Sequence, residues 1–104
     1  MTESPWFAFR SEVTRWASRR DVWLFAHVPR EITEEIDSYP VPRGGWGSLR
    51  VEATIGATMW RTSIFPSDDG RFALALKRAV RDREGIAEGD VVAVRLELVD
   101  LEIG

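Results

Sequence analysis

Trp23 to Glu35 overlays Arg71 to Arg83 at a constant offset of 48 residues, pairing Leu24 with Phe72, Val28 with Leu76, Arg30 with Arg78, Ile32 with Val80 and Glu34 with Asp82. Each copy reads as a strand running into a helix. After each comes a glycine-bearing turn, Gly44-Gly45 or Gly89-Asp90, and then a strand containing Arg50-Val51-Glu52 or Arg95-Leu96-Glu97. Few of the pairs are identities, so chance matching of amphipathic patterns competes with duplication as the explanation. Halves of this kind cannot bury their apolar faces alone; two of them would pair and close a mixed barrel with fewer exposed edges.

The local patterns support the same reading. Phe7, Phe9 and Ser11 alternate with Ala8, Arg10 and Glu12, which predicts a strand reaching Val13. Val22 to Val28 is an apolar run too short for a helix and rich in strand formers. Pro29 suits the first turn of a helix, where Ile32 and Ile36 share one face. The turn-rich Tyr39 to Gly45 stretch is a loop within the domain. Leu49, Val51, Ala53 and Ile55 alternate with Arg50, Glu52 and Thr54, and Gly56-Ala57 returns the chain into Thr58 to Ile64, a hairpin. Phe72, Leu74 and Leu76 alternate with alanines, and from Leu76 the apolar spacing changes from two to 3.6 through Ala79 and Val80, giving a helix to about Arg83 that Gly85 stops. Val92, Val94, Leu96 and Leu98 form the last strand.

A chain of 104 residues with 44% hydrophobic side chains, five Trp and five Phe among them, fits one domain spanning residues 1–104, with halves of roughly 6–56 and 57–104. No apolar run approaches the ~20 residues of a spanning helix. The N-terminus lacks the basic start and apolar stretch of a secretory signal, so a cytoplasmic location is expected. Cysteine is absent, which removes disulfides, zinc fingers, iron-sulfur sites and thiol nucleophiles. Net charge is −3, unevenly spread: residues 1–83 hold 13 basic and 11 acidic side chains, and residues 84–104 hold 1 and 6. That balance disfavours a general polyanion binder, and the absence of Asn and Gln removes the amide readout of adenine.

Catalytic constellations are missing from the sequence. His27 is the sole histidine, set in an apolar strand beside Trp23 and Phe25 without an apparent orienting partner. Asp68-Asp69-Gly70 lacks the loop pattern of a calcium site and reads as a turn. Ser63 has no nucleophile elbow around it, and Gly44-Gly45-Trp46-Gly47 lacks the ending of a phosphate loop. Trp60, Arg61, Thr62 and Ser63 are harder to assign to folding alone: Trp60 and Thr62 share one strand face, with Trp60 expected to plug the barrel, while Arg61 and Ser63 share the other. Arg78 and Arg81 lie three apart on the second helix and, with Arg61 and Arg71, could form an anion-binding patch. The competing reading for the helix arginines is a solvated face paired with Asp82 and Glu84.

The motifs Trp60-Arg61-Thr62-Ser63-Ile64-Phe65-Pro66, Asp69-Gly70, Lys77-Arg78-Ala79-Val80-Arg81, Gly85-Ile86 and Gly89-Asp90-Val91 resemble the bacterial family known as domain of unknown function 1905. Phe7, Phe9, the Trp23 strand and Val28-Pro29-Arg30-Glu31-Ile32 extend the resemblance over nearly the whole chain. It implies a single-chain double-split β-barrel, mainly β with two short helices. The same barrel is made by swapped dimers of AbrB-like and MazE-like DNA-binding proteins, whose helix-to-strand turn is similar to Gly85-Ile86-Ala87-Glu88-Gly89-Asp90. The resemblance carries no functional residues.

The expectation is therefore a non-catalytic binding module, a monomer or weak dimer without a cofactor or metal. Its partner would be a small anionic ligand or a protein segment held by Trp60, Arg61, Thr62, Ser63, Arg78 and Arg81. Nucleic-acid binding by analogy with AbrB is the alternative, and a hydrolase using Asp69 or His27 with Ser63 comes last.

Overall fold

A computed structural model of the chain describes residues 4–17 and 22–100. Its elements are β1 (Trp6–Ala17), β2 (Val22–His27), α1 (Arg30–Asp37), a 3-10 turn (Gly45–Gly47), β3 (Leu49–Ile55), β4 (Thr58–Pro66), β5 (Phe72–Ala75), α2 (Arg78–Glu84) and β6 (Val91–Leu98). The strands close a barrel in the order β1-β2-β5-β4-β3-β6, every neighbouring pair antiparallel. It is not mixed, because the two strand-helix units meet antiparallel along β2 and β5, and β6 runs antiparallel to both β1 and β3 as it closes the barrel.

Exchanging β1, β2 and β3 for β4, β5 and β6 leaves that cyclic order unchanged. The axis of the exchange passes between Ala26 and Leu74, which face each other across the β2–β5 seam and stand 48 residues apart. On either side the backbone bonds Val28 N to Phe72 O (2.8 Å) and Leu76 N to Leu24 O (2.9 Å) are images of one another under the same exchange.

Beyond these bonds the two strands part, and each opening is braced from a helix. At one end Thr33 of α1 is buried; its hydroxyl donates to Val28 O and accepts from Phe72 N, both at 3.2 Å. The hydroxyl thus replaces the missing ladder bond between these two residues. At the other end Arg81 Nε donates to Leu76 O at 3.1 Å. Arg81 stands 48 residues after Thr33, and Leu76 48 after Val28. Helix α2 begins at Arg78, two residues beyond the change in apolar spacing, because the Leu76 N–H is spent on the seam and Lys77 is still extended.

The strand β1 runs four residues past the expected end at Val13. It serves two neighbours in turn, β6 through Trp6 to Glu12 and β2 through Val13 to Ala17, so it forms a corner of the barrel. Strand β4 does the same with β3 and β5. The β3–β4 hairpin turns at Gly56, φ 58°, where a Cβ would collide with the Glu84 carboxylate. That carboxylate is needed in place, because it accepts the Thr58 hydroxyl at 2.7 Å. Gly85 ends α2 in the left-handed conformation at φ 65°.

Inside the barrel Val13, Val51, Ile64, Leu74, Leu96 and Leu98 are fully buried, with Ile36 of α1 closing one side. Each such side chain stabilises the fold by ~1.5–3 kcal/mol. Ile32 packs partly against this core, as the spacing of α1 requires, whereas α2 buries Val80 and leaves Ala79 exposed.

The Thr33 brace has a direct test. Thr33→Val keeps the volume but leaves the Phe72 N–H and the Val28 carbonyl unpaired in the interior, and should cost about 1–3 kcal/mol in urea unfolding. Thr33→Ser, which keeps the hydroxyl, should retain most of the stability.

Candidate functional site

The outward faces of β1, β2, β4 and β5 carry an unusual set of side chains. Because neighbours alternate across a strand, the register that buries Leu24, Ala26 and Leu74 turns Trp23, Phe25, His27, Ala73 and Ala75 outward. Cross-strand pairing then sets Trp16 opposite Trp23, Thr14 opposite Phe25, Phe25 opposite Ala75, and Ala73 between His27 and Phe65. Two alanines make a low floor, with aromatic side chains rising on both sides. The result is an open groove of about 750 Å³, closed at one end by Pro66 to Asp69 and lined also by Arg15. Trp16, Trp23 and Phe65 remain 58%, 46% and 39% exposed.

The turn at the end of the groove is rigidly built. Asp69 accepts from the Arg71 guanidinium (2.8 Å from Nε) and from the Arg71 backbone N–H (2.9 Å), while the single Ser67 hydroxyl proton is shared between Asp69 Oδ1 (2.8 Å) and Arg71 O (2.6 Å). Arg30 of α1 donates to Asp69 O at 3.1 Å, tying the turn to the helix. The Arg71 hydrogen bonds hold the Asp69 carboxyl far below the usual carboxylate range. Asp68, beside it, makes no hydrogen bond or ion pair among the described residues.

His27 sits where the groove meets this turn. Burial lowers its pKa from the ordinary 6.5, and Arg71 lowers it further against the opposing pull of Asp69. Both effects favour the neutral ring. Its Nδ1 is 3.4 Å from the Thr14 hydroxyl, a long contact with a group that cannot stabilise an imidazolium as a carboxylate would. Ser63 is outside the groove, opposite Arg50 on β3. Among the described residues no three of His, Asp and Glu gather as metal ligands.

The six residues singled out from the sequence do not share one surface. Trp60 and Thr62 lie on the inward side of β4, and Trp60 packs against the core with its Nε1 buried and without a protein acceptor. Arg61 points outward, 3.6 Å from Glu52 on the adjacent strand. Arg78 pairs with Asp82 at 3.7 Å on the exposed face of α2, and Arg81 is spent bracing Leu76. Arg71 lies in the turn between β4 and β5, bound to Asp69 and away from the helix arginines in sequence.

Reading from sequence missed the groove, although it noted Trp23, Phe25 and His27 on one face. The usable signal was that β2 is apolar on both faces, Trp23 and Phe25 on one and Leu24, Ala26 and Val28 on the other. A strand of that kind has something to cover on both sides.

The two perturbed groups fix the sign of the pH dependence. The fold disfavours charged His27, so its contribution is complete above pH 6.5 and is lost as pH falls through the lowered folded value. Asp69 acts with the same sign further down, its contribution present above its ordinary 3.8 and lost below. Urea midpoints should therefore drop from pH 8 to pH 5, and His27→Gln should shrink that drop. Asp69→Asn removes the charge that opposes the lowering at His27, so it should not shrink that drop, and it should flatten the decline below about pH 4.

Among curated proteins none matches this chain. Residues 9–96 match the family described as "Domain of unknown function (DUF1905)". The match runs from within β1 to within β6, takes in both helices and the whole groove, and covers most of the chain, so the protein belongs to the DUF1905 family.

Proposed function

We propose that the protein is a non-catalytic binding module whose recognition surface is the aromatic groove, and that it takes an apolar segment of a polypeptide. The observation that carries this reading is the exposed Trp16–Trp23 pair standing above an alanine floor. Folding does not require it, since those side chains face away from the core. Trp is the residue most enriched where binding energy concentrates, and a partner's side chain laid between Trp23 and Phe65 would displace water from both rings. The groove is too open to enclose a small molecule on most sides, as compact ligand sites do. The Asp68 carboxylate at the rim favours a lysine or arginine beside the partner's apolar anchor.

The test begins with a displayed library of random dodecapeptides panned on the wild-type protein, with the selected peptides measured by fluorescence anisotropy. Selected sequences should carry large apolar residues and a basic one. Trp23→Ala should weaken their binding ten- to thirtyfold, about 1.4–2 kcal/mol. Asp68→Asn should cost less than about 1 kcal/mol. If binding survives Trp23→Ala and is lost in Arg61→Ala, the outer face of β4 is the site and the groove is not. If no peptide is selected while anionic metabolites raise the melting temperature, the ligand is a small anion.

A further inference from the structure

Trp46 is the most exposed large apolar residue among those described, at 91%, and the single non-glycine residue among them with positive φ (63°). Both properties work against the isolated chain. An indole in water forgoes its burial, and a left-handed backbone is disfavoured for a side chain of this size. Strain of this kind persists where the surroundings fix it and something outside the element uses it. The surroundings are firm: Gly44 N donates to Ser48 O at 2.8 Å across the base of the turn, and Arg43 Nη1 donates to Gly47 O at 3.1 Å while its guanidinium lies over the Phe72 ring, 5.3 Å from the centroid. The indole is held out from the surface on a braced turn.

That turn adjoins the groove. A Cβ on Gly47 would lie 3.3 Å from Cγ of Pro66, and Pro66 lines the groove's closed end. An outstanding indole is therefore carried on a turn that packs against the closed end of an aromatic groove of about 750 Å³. We infer that the polypeptide segment seated in the groove is the Gly44 to Gly47 turn of a second copy of this chain, with Trp46 inserted reciprocally about a two-fold axis. The inference rests on the groove being the recognition surface and names its partner.

Three observations favour a second copy. An isologous interface requires each protomer to present both halves of the contact close together, and the turn that carries Trp46 lies against Pro66 at the end of the groove. The segment Gly44-Gly45-Trp46-Gly47 carries no charge, so it enters the aromatic groove without desolvating an ion. The exposed parts of Trp16, Trp23, Trp46 and Phe65 amount to roughly 500 Å² of aromatic surface, taking about 250 Å² for a whole indole. That is more than half of the about 800 Å² that a standard interface draws from each partner.

Sedimentation equilibrium of the full chain from about 10 μM to about 1 mM tests this directly. The wild-type mass should rise from 11.8 kDa towards twice that value, and both Trp46→Gly and Trp23→Ala should weaken association at least tenfold. Glycine adopts the φ of position 46 without strain, so in dilute solution Trp46→Gly should melt higher than the wild type although it associates less. A purely structural Trp46 would give the opposite change in melting. A wild-type protein that stays at monomer mass to 1 mM overturns the inference, as does a Trp46→Gly protein that associates like the wild type. Peptides selected on the groove separate the two readings. If they bind well to Trp46→Gly but the wild type is monomeric, the groove stands and the second copy falls; if the wild type associates regardless of Trp23→Ala, the groove is not where the copies meet.

Discussion

The seam between β2 and β5 decides which side chains the protein hides and which it shows. Only three residue pairs, Phe25–Ala75, Ala26–Leu74 and His27–Ala73, register the two strand-helix units against each other. A slip of one residue would turn Trp23, Phe25 and His27 into the core and Leu24, Ala26 and Val28 out to water. Short seams slip easily, and this one is pinned at both ends by side chains from the helices, Thr33 at the first opening and Arg81 at the second. The hydroxyl and the guanidinium are different chemistry put to the same use, each satisfying a strand carbonyl that its neighbour has moved away from. The core, the barrel corners in β1 and β4 and the outer groove all inherit their geometry from that registration.

Much of this architecture was legible in the sequence wherever one local rule sufficed. The β3–β4 hairpin announced itself by strict alternation on both sides of Gly56-Ala57, and Gly85 marked the end of α2 because only a left-handed residue could stand there. The length of β1 was not legible, since Glu12, Thr14 and Arg15 break the aromatic alternation just where the strand leaves β6 for β2. Trp60 was rightly expected to turn inward, but nothing in its neighbours showed that Trp16 and Trp23 would turn out as a pair. That pairing joins residues from two strands through a register fixed by a third. Arg81 shows the same limit in reverse: its spacing from Arg78 suggested an anion patch, whereas its Nε serves a backbone carbonyl five residues earlier.

The polar groups at the groove are committed to the local structure. Burial and Arg71 lower the pKa of His27, and its side-chain hydrogen-bond partner is a hydroxyl. Asp69 is committed to Arg71 and Ser67. What the surface offers instead is apolar area of defined shape, with alanines at positions 73 and 75 keeping the trench open where larger residues would fill it. Trp46, on the turn beside that trench, combines a left-handed backbone with an indole left in water.

The central claim is that the outer aromatic face, rather than the strand around Trp60, is where this protein meets its partner. Fluorine NMR of protein labelled with 5-fluorotryptophan, followed on addition of a groove-selected peptide, reads all five tryptophans separately. The account predicts that Trp16 and Trp23 shift with the peptide while Trp60 and Trp6 hold their positions. Movement of Trp60 with Trp16 and Trp23 unchanged would contradict it.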